Sequence, residues 1–138
     1  EKSNKRKVDK IDEAFIENIF KLLYLISKVD GTVDDKELYD LKESVYSVSQ
    51  SLGINSYVND DQLNNLSKKL NSIESLDDIR NEFEKTLKVL TENKYHEKGF
   101  LKSIYNFIED ISKADGILDI KEKELIKVAN KYLLNDVY

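Results

Sequence analysis

Apolar residues recur along this chain at three- and four-residue intervals with scarcely a break, which predicts helices nearly throughout and no strand. From about Asp12 to Lys28 the apolar positions Phe15, Ile16, Ile19, Phe20, Leu22, Leu23, Leu25 and Ile26 cover most of the helical circumference, so this first helix is expected at the centre of the core. A second helix should start after Asp34, carry one stripe of Leu38, Leu41, Val45, Val48 and Leu52, and stop at Gly53. Residues 54–59 then read as a loop, and a third helix from about Asp60 turns Leu63, Leu66 and Leu70 inward. Ser75 with Asp78 resembles a capping box ahead of a fourth helix, where Leu76, Ile79, Phe83, Leu87 and Leu90 keep helical spacing. A fifth carries Phe100, Leu101, Ile104, Tyr105, Phe107, Ile108 and Ile111, and a sixth Leu125, Val128, Ala129, Tyr132 and Leu133.

The pattern also repeats. Asp30-Gly31-Thr32-Val33-Asp34-Asp35-Lys36-Glu37 returns as Asp115-Gly116-Ile117-Leu118-Asp119-Ile120-Lys121-Glu122, an offset of 115 − 30 = 85 residues. At that offset Phe15 matches Phe100, Ile19 matches Ile104, Leu23 matches Ile108, Ile26 matches Ile111, Leu41 matches Ile126 and Val48 matches Leu133. Each copy is therefore a helix, a tight turn and a second helix. Two copies at so long a period point to a pseudo-symmetric pair within one domain, not to a solenoid. The expected fold is all-α, a single bundle of about six to seven helices with an internal pseudo-twofold repeat. A basic flexible tail at 1–10 precedes a domain at 11–138, with copies at about 12–52 and 97–137 joined by linking helices at about 60–93.

Composition narrows the function. A chain of 138 residues, 40% hydrophobic, has the length and apolar content of one domain. The net charge of −5, with Arg6 and Arg80 the only arginines, argues against nucleic acid as the main partner, because phosphate binding needs a concentrated basic surface. With no Cys and the single His96, disulfides, thiolate zinc and histidine clusters are excluded, so any metal must be a hard, oxygen-bound cation. No apolar run reaches the length of about 20 residues that spans a bilayer, and no signal peptide is visible, which points to the cytoplasm. Lys2, Lys5, Arg6 and Lys7 read either as a solvated terminus or as the cytoplasmic flank of a membrane anchor outside the given chain.

The repeated corner has two physical explanations. In one, Gly31 and Gly116 end their helices in the left-handed conformation, Asp34 and Asp119 cap the next helices, and Glu37 and Glu122 complete capping boxes at the positive dipole ends. In the other, the two hairpins bring Asp30, Asp34, Glu37, Asp115, Asp119 and Glu122 together. Carboxylates that close repel one another, and a divalent cation such as calcium or magnesium relieves the repulsion. The two are compatible, since a capping acid keeps one oxygen free. An EF-hand is excluded, because its first-half ligand positions are Ile26 and Lys28 in one copy and Ile111 and Lys113 in the other.

A helix, then Lys-Val/Ala-Asp-Gly, then hydrophobic-Asp-x-x-Glu, given twice in an all-helical domain, resembles the TerB-like domain. The second copy, Ser112-Lys113-Ala114-Asp115-Gly116-Ile117-Leu118-Asp119 with Glu122, is the closer match, while the first has Val29 in place of the family's Ala. The resemblance implies a non-enzymatic domain of the kind found in tellurite-resistance systems, DnaJ-like co-chaperones, and stress-response and phage-defence proteins. It also implies a metal-binding role for the paired acidic corners, by position Asp30, Asp34, Glu37, Asp115, Asp119 and Glu122.

Catalysis finds little support, for there is no Cys nucleophile, no Gly-rich phosphate loop and no serine elbow, and His96 sits in a polar stretch. The expectation is no enzyme and no catalytic residue. The alternative to cation binding is a protein-protein interaction module, an adaptor or immunity-type protein, in which the acids are only caps and a protein partner meets Tyr39, Tyr46, Tyr57 or Tyr95.

Overall fold

The computed structural model describes residues 2–29, 31, 33–51, 60–92, 98–113 and 120–134, of which 2–13, 51, 92, 98–101 and 111–113 are described as backbone only. Six helices account for most of them: α1 (Lys2–Lys28), α2 (Asp35–Ser51), α3 (Asp60–Asn71), α4 (Leu76–Glu92), α5 (Lys98–Lys113) and α6 (Ile120–Leu133). The protein is all-α, with no strand among the described residues. No described helix is long and apolar enough to cross a membrane.

Helix α1 is the hub. Phe15, Ile16, Ile19, Phe20, Leu22, Leu23, Tyr24, Leu25, Ile26 and Val29 are all buried, and they point around the full circumference because α2, α3, α4 and α5 each pack against this one helix. An all-round apolar sequence is what such a position requires. Phe20 and Tyr24, one turn apart, meet at a ring-centroid distance of 5.9 Å. The start of α1 corrects the sequence reading, since the helix begins at Lys2 and not near Asp12, and the basic segment read as a tail at 1–10 is helical from its second residue. Nothing in residues 2–12 stops a helix: they contain no Gly or Pro, and Val8 and Ile11 stand at helical spacing from Phe15.

The remaining helices bury one stripe each, as their patterns predict. Leu41, Val45 and Val48 on α2, Leu63 and Leu70 on α3, Ile79, Phe83, Leu87 and Leu90 on α4, Ile104, Tyr105 and Ile108 on α5, and Leu125, Ala129 and Leu133 on α6 share a core with α1. Helix α4 lies against both α1 and α6, and α5 against both α6 and α1. The hairpin α1–α2 and the hairpin α5–α6 are thus neighbours through α1 and α5. Leu52, Gly53 and the loop at 54–59 lie outside the described residues, as do the side chains of Phe100, Leu101 and Ile111.

Polar contacts between helices sit at the edges of the core. Lys21 Nζ lies 3.5 Å from Glu82 Oε2, tying α1 to α4, and Lys42 Nζ donates to Asn64 Oδ1 at 3.1 Å, tying α2 to α3. The Tyr132 hydroxyl donates to Glu84 Oε2 at 2.7 Å between α6 and α4. That hydrogen bond, with burial and the carboxylate charge behind it, raises the Tyr132 pKa above the ordinary 10.0. The stabilisation is therefore complete below pH 10 and is lost as pH rises through the elevated folded-state value. Denaturant unfolding above pH 10 should show the native chain losing stability more steeply than Tyr132→Phe; parallel losses would show that the phenol is not linked to folding.

Among the described residues, one buried side-chain polar atom has no hydrogen-bond partner. Ser49 shares the inward stripe of α2, one turn beyond Val45, and its Oγ is buried with no hydrogen-bond partner. Such a hydroxyl loses its water contacts without compensation. Ser49→Ala is expected to raise the unfolding free energy by up to about 1 kcal/mol, helped by the better helix propensity of Ala, and urea titration would show it. A clear drop in stability would reveal a bond made by the hydroxyl.

Candidate functional site

The first corner is built by backbone hydrogen bonds and then by side-chain caps. Val29 N–H reaches Leu25 O at 3.0 Å, and Gly31 N–H reaches Lys28 O at 3.0 Å, tightening the end of α1. Gly31 has φ of 157°, positive but far from the left-handed helical value expected for it. Nothing lies within 4 Å of where a Cβ would stand, so the need for glycine here comes from the backbone and not from crowding.

Helix α2 opens with a reciprocal cap. Glu37 N–H donates to Asp34 Oδ1 at 2.8 Å, and Asp34 N–H donates to Glu37 Oε1 at 3.2 Å. This is the capping-box arrangement with Asp in the place of Ser or Thr, and both side chains are exposed. The structural explanation of the corner is therefore present in the first copy. At α4, Ser75 Oγ accepts from Asp78 N–H at 3.1 Å, as its sequence predicts.

The second corner differs. Glu122, the counterpart of Glu37 at the repeat offset, is only 4% exposed, in the first turn of α6 and on the face that buries Leu125 and Ala129. It is not without a partner there. Identical letters at equivalent repeat positions thus occupy opposite environments. Asp30, Asp115, Gly116 and Asp119 lie outside the described residues, as do His96, Tyr57 and Tyr95.

The described residues do bring the corners to one place. A cavity of about 350 Å³ is lined by Lys28, Val29 and Gly31 from the first corner, by Glu74, Leu76 and Ile79 from the α3–α4 turn and the start of α4, and by Lys121 from the start of α6. Lys28 Nζ lies 3.5 Å from Asn71 Oδ1 at its edge. Glu74 was invisible to sequence reasoning because it belongs to neither copy of the repeat. Leu76, expected on the inward stripe of α4, is 40% exposed instead and lines this cavity. Ile120, the first residue of α6, is 78% exposed. A second cavity, of about 370 Å³, lies among Ser72, Ile73, Asp78, Asn81, Glu82 and Lys85, where Glu82 is already engaged by Lys21.

A hard divalent cation requires several oxygen ligands within one coordination sphere. Of the six acids the repeat singles out, Asp34 and Glu37 each give one oxygen to the reciprocal cap and Glu122 is buried in α6. Among the described residues no group of three or more His, Cys, Asp or Glu side chains is placed to hold a metal ion. No protein-family model, curated protein or solved structure matches this chain.

The cap sets a measurable cost. Asp34→Ala should lose about 1 kcal/mol of stability, and Asp34→Ala with Glu37→Ala should lose less than the two single losses added together, because each acid serves the same reciprocal cap. Additive losses in urea unfolding would show that the two carboxylates act independently.

Proposed function

We propose that this chain is a non-enzymatic, TerB-like regulatory or scaffolding domain that binds a protein partner at the end of its bundle where the two corners converge. The observation that carries this reading is the cavity shared by Val29 and Gly31 of one corner and Lys121 of the other, with Leu76 exposed in its lining and Ile120, the sequence neighbour of Lys121, exposed as well. Exposed apolar side chains around a concavity are what contact surfaces offer, and the paired carboxylates of the first corner, held in local caps, are not poised for acid or base work. The TerB-like resemblance of both corners supports a place in a stress-response or defence-related system, in the cytoplasm.

A second reading keeps the cation. The convergence of the corners favours it, because Asp30 lies between Val29 and Gly31 of the cavity lining in sequence and Asp119 lies two residues before Lys121. The two readings separate in a thermal-shift titration with calcium, magnesium, manganese and zinc at millimolar levels, since a cation that binds the folded state must raise the melting temperature. Protein docking alone predicts no shift. A photo-crosslinking residue placed at position 76 or 120 in cells that express the chain should trap a defined partner, and one placed at Val89, equally exposed on α4 but away from the cavity, should not. Equal trapping at position 89, or none at 76 and 120, would overturn the docking site.

A further inference from the structure

We infer that this chain associates with a second copy of itself, the basic outer face of α6 on one copy meeting the acidic outer face of α2 on the other. The inference goes beyond the corner reading and does not rest on it. Over its whole length α6 holds Lys121, Lys123, Lys127 and Lys131 against Glu122 and Glu124, a net 4 − 2 = +2 in a chain of −5. Glu122 is buried, so the surface of the helix is more basic than that sum. Lys123, Lys127 and Lys131 follow one another at single-turn spacing, all exposed. Ile120, at 78% the most exposed large apolar side chain among the described residues, stands at the head of the same row.

Helix α2 is the opposite. It holds Asp35, Glu37, Asp40 and Glu43 against Lys36 and Lys42, a net 2 − 4 = −2, and Lys42 is drawn inward to Asn64 of α3. Tyr39, 61% exposed, stands on the outer face with the exposed Asp40 and Glu43. Among the described residues Lys123, Lys127, Asp40 and Glu43 form no ion pair. Helix α2 packs on α1 whereas α6 packs on α4 and α5, so neither face answers the other within one copy. The rows also match in order. Glu43 follows Tyr39 by four residues and Lys123 follows Ile120 by three, about 6 and 4.5 Å of helix rise. Helices crossing in the same direction therefore set tyrosine on isoleucine and carboxylate on ammonium together. An acidic segment of another protein would meet the α6 lysines but leave the α2 face uncovered; a second copy satisfies both.

One helix face falls well short of the roughly 800 Å² per partner of a stable interface, so the association is weak, with a Kd on the order of 0.1–1 mM. The net charge of −5 opposes it at long range. At about 0.1 M salt, however, a Debye length of about 10 Å screens the whole-molecule repulsion and spares charges in contact.

The test is amide NMR of the full chain between about 0.05 and 1 mM protein at about 0.1 M salt. Amides of α2 and α6 should move together with concentration, and at about 1 M salt the change should vanish. Lys123→Glu with Lys127→Glu, and separately Asp40→Lys with Glu43→Lys, should each weaken association at least about tenfold, since like charges then face each other. Mixing the two variants should restore it, because each supplies the charge that the other lost. All four positions are exposed, and a dispersed amide spectrum checks that each variant folds. Shifts that ignore concentration, association that survives either reversal, or no recovery on mixing would overturn the inference. None of the four reversed residues lines the corner cavity, so such a result leaves the docking site there standing.

Discussion

The structure depends on the burial of α1 on every side. Nine of its residues between Phe15 and Ile26, with Val29 just beyond its end, are withdrawn from water, and four other helices pack against it. At roughly 1.5–3 kcal/mol per large apolar side chain, this one helix carries a large share of the hydrophobic driving force. It also fixes the geometry of the candidate site, because the corner that ends α1 is held in place by the most constrained element in the molecule.

The acidic residues follow from the same construction. A helix that must stop and turn back needs a cap for the next helix, and Asp34 and Glu37 supply it with two reciprocal hydrogen bonds. Acids are thus recruited to helix starts for local reasons, and the packing of α1, α4 and α6 then determines which starts become neighbours.

Much of the helical content was legible in the sequence. The starts of α2, α3 and α4, the Ser75 cap and the inward stripes rest on interactions within three or four residues, which a single sequence displays directly. The beginning of α1 lies earlier than expected, because Lys2, Lys5, Arg6 and Lys7 read as a basic tail even though Val8 and Ile11 keep helical spacing with Phe15. Gly31 was expected in the left-handed conformation, but its φ of 157°, positive and far from that value, depends on how the chain leaves α1, which local propensity does not specify.

The sequence by itself determined what is local: six helices, the central apolar one, and the cap at Asp34 and Glu37. Their signals are written in spacing and in residue type. Only the tertiary structure decided that Glu37 is exposed while Glu122 is buried, that Leu76 stands at a mouth and not in a core, and that Glu74 joins the two corners at one cavity. Those outcomes turn on which helix packs over which, and residues far apart along the chain carry no local mark of becoming neighbours.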